Sequence, residues 1–223
     1  MSLNPHRPEN GQESPVITTA EHAFDGLAFR RTMGHLATGV TLVTTRTAER
    51  IHGMTANAVT SVSLDPPLIL ICLDRRSRMA QYVGETGRFG VNLLDERQAP
   101  ISRYFARSWK SPQPPAHRFE EWAGVPFLAG SLGALSCRTT QVVEGGDHLV
   151  VIARVAGIRV DNPTGTPLIY YRGTYGALVE RVAGPAESPE LMAPSHFQVY
   201  YREWEPEDEA RQGPSSNVPG PFW

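Results

Sequence analysis

The segment Asp74-Arg75-Arg76-Ser77-Arg78 is the strongest candidate for binding an anion in this sequence. It follows the apolar run Leu68–Leu73 and precedes a stretch, Ser77–Glu85, whose apolar residues recur at helical spacing. A helix N-terminus presents unpaired N–H groups and the positive end of the helix dipole, and both attract phosphate. Ser77 adds a hydroxyl and the arginines add charge. The pattern equally fits an N-cap serine beside solvated arginines, so it predicts either a phosphate site or a plain helix start.

Few other residues of the sequence are candidates for catalysis or for binding a metal. His148 follows a Gly-Gly-Asp turn at the start of a strand-like run, where a lone histidine is usually structural. Cys72 lies in an apolar run, and because apolar burial raises a thiol pKa, we do not expect it to act as a nucleophile. No cysteine–histidine spacing typical of zinc occurs, so we expect no metal. GxGxxG, Walker A, HExxH and GxSxG motifs are also absent from the sequence.

Composition limits the class of protein. The chain has 223 residues, 40% of them hydrophobic, which fits one domain with additional sequence at its ends. A net charge of -2 gives no attraction to nucleic acid or anionic membranes, and no apolar run reaches the roughly 18–20 residues of a transmembrane helix. The polar start, Met1–Gln12, does not resemble a secretory signal. With Cys72 and Cys137 both in apolar runs, these features predict a cytoplasmic protein that binds neither nucleic acid nor membrane.

The ends of the chain differ from its middle. Residues 1–17 are rich in Pro, Asn, Glu and Gln and predict a flexible arm. A capping pattern at Thr18 and Glu21 predicts the start of a helix, and Gly39 is expected to end it. Phe29, Met33 and Leu36 give that helix one apolar stripe. Residues 183–223 are rich in Pro, Glu, Ser and Gly, and predict an extension that is disordered or packs on the barrel or a second subunit.

Strand signals dominate the predicted domain, residues 18–182. Short helices are expected at Ser77–Glu85 and Asp95–Arg107, and a long irregular loop at residues 108–126. About six to eight antiparallel strands favour a closed barrel, since closure removes exposed edges. The expected strands are Val40–Thr45, Met54–Leu64, Leu68–Leu73, Gly90–Leu94, Gly133–Val143, His148–Val160, Leu168–Tyr171 and Tyr175–Glu180.

Several segments in sequence order resemble the short-chain flavin reductase family. They are FRRTMGHLATGVTLVTT, GMTANAVTSVSLDPPLILICL, RRSRMAQYV, RFGVNLL, YFA, GDHLVVIARV and PLIYYRGTYGAL, between Phe29 and Leu178. The resemblance implies a mainly β, homodimeric, FMN-binding split β-barrel of Greek-key type with a few short helices. It also implies a reductase that transfers hydride from NADH or NADPH to FMN, or to FAD, and supplies reduced flavin to a partner monooxygenase. FMN is favoured because the visible site ends at one phosphate.

The resemblance assigns flavin-binding residues. It places the backbone and side chains of Thr55-Ala56-Asn57-Ala58 at the flavin ring, where small strand residues allow close approach. Family members often have Ser at the position of Ala58, so its role would be through the backbone. Met79 stands where the family often has Thr, which removes one expected phosphate donor. Further ring contacts are implied for Thr38, Gly39, Ser61, Cys72 and Leu73, and phosphate contacts for Arg75, Ser77 and Arg78.

The same resemblance implies a nicotinamide side. His148 would orient the nicotinamide, Arg172 would meet a phosphate of the nucleotide, and Tyr175 would stack near the ring. The alternatives are a pyridoxamine-phosphate-oxidase-like enzyme, which shares the split barrel, and a non-catalytic flavin-binding or storage protein. The segment Met54–Leu73 fits the reductases better.

Overall fold

The structure, a computed structural model, describes residues 25–48 and 50–178. The predicted arm at residues 1–17, the helix start at Thr18 and the extension at residues 183–223 lie outside these ranges. The described chain is mainly β, and no helix in it is long and apolar enough to cross a membrane. Its helices are α1 (Gly26–Met33), α2 (Arg78–Thr86) and α3 (Ala99–Phe105), with a 3₁₀ turn at Glu96–Gln98. Its strands are β1 (Thr38–Gly39), β2 (Thr41–Arg46), β3 (Ile51–Ala56), β4 (Val59–Leu64), β5 (Pro67–Asp74), β6 (Arg88–Leu93), β7 (Phe119–Trp122), β8 (Val125–Leu128), β9 (Gly133–Gly145), β10 (His148–Val160), β11 (Ile169–Tyr171) and β12 (Thr174–Gly176).

Seven strands form the main antiparallel sheet in the order β3-β2-β6-β9-β10-β5-β4. Its two edge strands, β3 and β4, follow one another in sequence and are joined only by Asn57 and Ala58. The sheet must therefore curl until its edges approach each other at that end. Within the described residues, however, β3 and β4 form no ladder, so the expectation of a closed barrel was wrong. The single strand predicted at Met54–Leu64 is likewise two strands, broken at Asn57-Ala58.

The main core lies between the curled sheet and α2. The predicted strand Leu68–Leu73 is confirmed as part of β5, and its side chains alternate so that Ile69, Ile71 and Leu73 are buried. The helix predicted at Ser77–Glu85 is confirmed as α2. It contributes Met79 and Val83 to the same cluster, which Phe89, Val91, Cys137 and Val151 complete. Burying this apolar face is what holds β5, and the turn that follows it, in place.

A second cluster lies beside a small sheet of order β1-β11-β12. The predicted helix Asp95–Arg107 is confirmed as the 3₁₀ turn followed by α3, and its Ile101 and Phe105 both pack in this cluster. The predicted hairpin at Gly145-Gly146 is also confirmed, as the connection between β9 and β10. These elements place the C-terminal end of α3 next to β11 and β12.

The first helix differs from its prediction. α1 begins after Asp25, whose side chain accepts a hydrogen bond from the Leu27 N–H, and it ends at the C-cap Gly34. Gly39, predicted to end this helix, instead lies in β1, paired with Ile169. No residue of α1 is buried. About half of the surface of the predicted apolar stripe is exposed, with Phe29 53% and Leu36 59% exposed.

Part of the predicted loop at residues 108–126 is a hairpin of β7 and β8. Trp122 pairs with Val125, and the two residues between them, Ala123 and Gly124, have φ of 47° and 77°. Two successive positive φ values define the type I′ turn that matches the twist of a hairpin. Alanine rarely occupies such a position, which is why the sequence did not indicate this turn.

Gly53 is expected to be intolerant of any side chain. A Cβ at this position would lie 2.7 Å from Cε1 of Phe105, whose ring packs against β3. We expect Gly53→Ala to lower the free energy of unfolding by about 1–3 kcal/mol, the usual cost of overpacking, measured by urea denaturation. The matched control is Gly84→Ala in α2, where a Cβ meets nothing within 4 Å. That change should raise stability by about 0.5–1 kcal/mol, and equal losses at both positions would contradict the packing argument.

Candidate functional site

A cavity of about 680 Å³ opens beside the edge strand β3, between α3 and the small sheet. Its volume lies within the range of roughly 300–1,000 Å³ typical of small-molecule sites. Its walls combine two tyrosines with hydroxyl and amide side chains, and no described carboxylate lines it. The lining residues are Val40, Thr55, Ala56, Asn57, Arg103, Ala106, Ser108, Tyr170, Gly173, Thr174 and Tyr175.

A hydrogen-bond network fixes one wall of this cavity. Ser102 on α3 is fully buried, and its carbonyl accepts a hydrogen bond of 2.7 Å from the Thr55 hydroxyl. The Ser102 hydroxyl and the Tyr175 hydroxyl are hydrogen-bonded to each other at 2.8 Å. Tyr175 also packs edge-on against Tyr170, with ring centroids 5.4 Å apart. Since buried networks of this kind rigidify what they join, the walls from β3, α3 and β12 are held in one arrangement.

The predicted ring-binding residues lie where the main sheet is open. The Asn57 amide donates a hydrogen bond of 3.2 Å to the Thr38 hydroxyl, which connects β1 to the β3–β4 link. The Ala58 carbonyl accepts a bond of 3.0 Å from the Cys72 N–H, which connects that link to β5. Thr55, Ala56 and Asn57 line the cavity. The segment predicted from sequence is thus the residue set that joins both sheet edges at the cavity.

Arg103 is the charged side chain of the cavity lining, and it was not among the residues predicted from the sequence. It lies in the last turn of α3, with its guanidinium carbon 5.2 Å from the centroid of the Tyr175 ring. It makes no ion pair with any described carboxylate, whereas Arg46, Arg97 and Arg159 each do. In the sequence, only its position directly before the family-like segment YFA could have indicated that Arg103 lines the site.

The predicted phosphate segment forms the turn between β5 and α2. Ser77 is the N-cap of α2, and its hydroxyl accepts a hydrogen bond of 3.1 Å from the Ala80 N–H. Arg76 is bonded to Asp74, and this bond lowers the pKa of the Asp74 carboxyl to about 2. Arg75 lies 3.6 Å from Glu144. Arg78, the first residue of α2, makes no ion pair with the described carboxylates. Its charge is therefore available to an incoming anion.

His148 lies next to this turn rather than in the cavity. It faces Asp74 across the β5–β10 ladder, and the Asp147 carbonyl accepts a bond of 3.1 Å from the Arg75 N–H. The imidazole Nδ1 is 2.7 Å from the Asp147 carboxylate, and this hydrogen bond lowers the pKa of Asp147. The bond also fixes the orientation of the imidazole ring, and the partner of one ring nitrogen determines whether the other nitrogen donates or accepts a hydrogen bond.

The structure therefore separates the predicted residues into two groups. Thr55–Asn57 line the cavity together with Tyr175, and Thr38 is hydrogen-bonded to Asn57 beside it, while Arg75–Arg78 lie with His148 at the turn. Cys72, bonded to Ala58, is two residues from Asp74 along β5, about 7 Å at the usual strand rise. The remaining predicted residues lie outside both groups: Gly39 in β1, Ser61 exposed on β4, Leu73 fully buried, and Arg172 in the turn between β11 and β12 with its N–H bonded to Gly34.

The residues present fit a flavin. A planar, mostly uncharged ring requires flat apolar walls and a few hydrogen-bonding groups at its edge. The cavity supplies Tyr170 and Tyr175 as aromatic walls, and Asn57 as an amide whose side-chain carbonyl oxygen has no hydrogen-bond partner among the described residues. A Cβ at Gly173, on the cavity wall, would meet nothing within 4 Å. The opening there leaves room for a ligand that extends beyond the ring.

A curled antiparallel sheet with an aromatic, hydrogen-bonding cavity at its open edge is suited to a planar heteroaromatic ligand. Residues 33–178 match the flavin reductase like domain. The chain belongs to the flavin reductase family.

Its relatives carry consistent names. An NADH-dependent flavin reductase from Rhodococcus sp. is 41% identical over 171 residues, covering 75% of this chain and 91% of that protein. The reductase component of a 4-nitrophenol 4-monooxygenase/4-nitrocatechol 2-monooxygenase from Rhodococcus opacus is 34% identical, covering 75% and 89%. The solved structure of flavin reductase PheA2 in its native state is 35% identical with a TM-score of 0.66, covering 70% of this chain and all of that one.

Proposed function

We propose that this protein is an NADH-dependent flavin reductase that supplies reduced flavin to a partner monooxygenase. The observation that carries the proposal is the cavity formed by Thr55, Asn57 and Tyr175, which joins the family's ring-binding segment to an aromatic wall. A flavin held by these residues would supply the ring that accepts hydride from NADH. The protein's contribution is geometric: Thr55 and Tyr175 are fixed through Ser102, and Asn57 through Thr38, so the ring edge meets hydrogen-bonding groups that are already oriented.

The direct test mixes the purified protein with NADH and FMN, FAD or riboflavin without oxygen, and follows the flavin absorbance. A reductase bleaches the absorbance many times per protein molecule. A storage protein would bind flavin without turnover, and a pyridoxamine-phosphate-oxidase-like enzyme would leave NADH unused. The same series with NADPH determines the nucleotide preference. Relatives include both an NADH-dependent FMN reductase and an NADH-dependent FAD reductase, so the flavin preference requires direct measurement.

The phosphate of FMN is assigned to the turn formed by Arg75, Ser77 and Arg78. Arg78 supplies a charge without a carboxylate partner among the described residues, and α2 supplies the N–H groups of its first turn. The charges of Arg75 and Arg76 are partly satisfied by Glu144 and Asp74. His148, across the ladder from Asp74, is assigned to orienting the nicotinamide, with Arg172 as a contact for the nucleotide phosphate.

Ser77→Ala tests this phosphate assignment. The lost hydroxyl should weaken FMN binding by about 1–3 kcal/mol, the cost of a bond to a charged group, while riboflavin binding stays unchanged. Removing the N-cap should also lower the free energy of unfolding by about 1 kcal/mol, so Ser77→Thr, which keeps a capping hydroxyl, is the control. Equal losses of FMN and riboflavin affinity would assign Ser77 to capping alone. Binding is measured by quenching of flavin fluorescence.

The quaternary structure is proposed to be a homodimeric split barrel with flavin between the protomers. Support comes from the open edge between β3 and β4, and from α1, which buries none of its residues. Met33 on that helix and Leu36 just after it are each about half exposed, and exposed apolar surface of this kind suits an interface. Light scattering of the flavin-bound protein tests the proposal, and a stable monomer that binds flavin would contradict it.

Delivery to the monooxygenase is proposed to occur by diffusion of reduced flavin. A cytoplasmic location is proposed from the two free thiols, Cys72 and Cys137, because disulfide-free cysteines suit a reducing compartment. Burial raises the pKa of Cys137 to about 12, so that thiol is inert near neutral pH. Placing the reductase and an oxygenase on opposite sides of a dialysis membrane tests delivery, since turnover then requires free flavin.

A further inference from the structure

The charge of the cavity is unbalanced. Arg103 contributes a full positive charge, and no carboxylate is found among the lining residues that the structure describes. Arg46 and Arg97, in contrast, are paired with carboxylates, Arg46 with Glu121 at 3.0 Å and Arg97 with Asp95 at 2.7 Å. Arg103 instead lies over the face of the Tyr175 ring, 5.2 Å from its centroid. The cavity therefore favours a ligand that carries negative charge.

The backbone that carries Arg103 is also held in position. Its neighbour Ser102 is anchored through both its carbonyl, to Thr55, and its hydroxyl, to Tyr175. The Tyr175 ring below the guanidinium is thus fixed by the same residue that precedes Arg103 in α3. A charge that projects from an anchored backbone over a fixed ring acts on a ligand with a reduced cost of reorganisation.

The surroundings indicate a charged ring rather than a phosphate. Phosphate sites usually combine several donors with a helix N-terminus, but Arg103 lies in the last turn of α3, at the carbonyl end. The adjacent walls are the flat rings of Tyr170 and Tyr175. A single guanidinium beside aromatic walls suits one diffuse negative charge on a planar ligand.

We propose that Arg103 makes the cavity sensitive to the redox state of flavin, so that the protein binds reduced flavin more tightly than oxidised flavin. This rests on the proposed reductase function. Hydride transfer breaks a C–H bond of the dihydronicotinamide and forms an N–H bond on the flavin ring. Two electrons and one proton move together, so NADH becomes NAD⁺ and the neutral flavin ring becomes an anion. The guanidinium attracts the anion and has little effect on the neutral ring.

This preference has two consequences for the enzyme. The developing negative charge is stabilised during the transfer, which favours the forward direction. Reduced flavin also leaves the site more slowly than oxidised flavin does, before it diffuses to an acceptor. Arg103 is thus assigned the role of a specificity-determining residue that discriminates between redox states.

The experiment measures, without oxygen, the dissociation constants of oxidised and dithionite-reduced riboflavin, together with the midpoint potential of the bound flavin. Riboflavin is the probe because it lacks the phosphate, so any redox preference must arise at the ring. The wild-type protein should bind the reduced form about tenfold more tightly. Arg103→Gln should abolish that preference by weakening only the reduced form, lowering the potential of bound flavin by about 30 mV, since tenfold is 29.6 mV for two electrons. Arg103→Lys should keep most of it.

Arg107→Gln is the matched control, because Arg107 lies four residues further along the chain, just past α3, but does not line the cavity. This variant should prefer reduced over oxidised riboflavin by the same factor as the wild type. Equal weakening of both redox states in Arg103→Gln would overturn the proposal, and so would a change confined to the KM for NADH. Wild-type protein that binds oxidised riboflavin at least as tightly as reduced riboflavin overturns it even if no variant folds. Failure of the wild type to reduce any flavin would instead contradict the proposed function.

Discussion

Asn92→Ala is expected to lower the free energy of unfolding by about 3–4 kcal/mol, a larger loss than at Gly53. The Asn92 side chain is fully buried and makes three hydrogen bonds. Its amide donates to the Leu42 carbonyl at 2.9 Å and to the Thr44 hydroxyl at 3.2 Å, and its carbonyl accepts from the Leu128 N–H at 2.8 Å. Alanine would leave the Leu128 N–H without a partner inside the core, where an unsatisfied group is costly.

Urea denaturation at neutral pH measures this loss. The matched control is Asn57→Ala, which removes an exposed asparagine with one hydrogen bond, to Thr38. Its unfolding free energy should change by less than about 1 kcal/mol, whereas its flavin affinity should fall. A loss below about 1 kcal/mol for Asn92→Ala would mean that β8 does not depend on this side chain.

His148→Ala should reduce kcat/KM for NADH by about ten- to a hundredfold, roughly 1.4–2.7 kcal/mol of transition-state stabilisation. Affinity for riboflavin, which has no phosphate, should change little, because His148 lies at the β5–α2 turn and not on the cavity wall. The Asp147 carboxylate, 2.7 Å from Nδ1, fixes the imidazole, so that Nε2 is the atom left for the nicotinamide. Stopped-flow reduction of pre-bound flavin across a range of NADH concentrations measures the effect on hydride transfer.

His117→Ala is the control for this variant. His117 is also exposed, with Nδ1 2.7 Å from an oxygen, the carbonyl of Pro115, but no role in the reaction is assigned to it. It should retain the wild-type rate of flavin reduction. If His148→Ala remains folded and bleaches flavin at the wild-type rate at every NADH concentration, His148 has no part in the mechanism. A fall in thermal stability alone would assign it to starting β10.

The elements that were located correctly from the sequence carry their signals locally. β5 is a continuous apolar run, α2 has a serine cap followed by helical spacing, and the β9–β10 hairpin turns at Gly146, which has a φ of 68°. In each case the residue type and the required backbone conformation agree. The segment Thr55–Asn57, which lines the cavity, was singled out because it matches a family motif, and its role in binding flavin stays a prediction.

The elements that were missed depend on contacts that local sequence does not reveal. The β7–β8 hairpin turns at Ala123, an unusual residue for positive φ, and is held by Asn92 from a distant strand. Arg172 has a φ of 49° in the similar turn between β11 and β12. Arg103 is exposed and belongs to a short helix, so only its position over Tyr175 distinguishes it from a solvated arginine. Such tertiary relationships are invisible to periodicity and spacing.

The order of strands in the main sheet also bears on how the chain folds. β2 pairs with β6, β6 with β9, and β10 with β5, so half of the six ladders in the sheet join segments that are distant in sequence. Pairing of this kind folds slowly, because loop entropy is lost before contacts compensate for it. The cavity draws its walls from residues 40–57, 103–108 and 170–175, so no short contiguous fragment of the chain contains it. Flavin binding is therefore a signal of complete folding, and added flavin should raise the melting temperature by mass action.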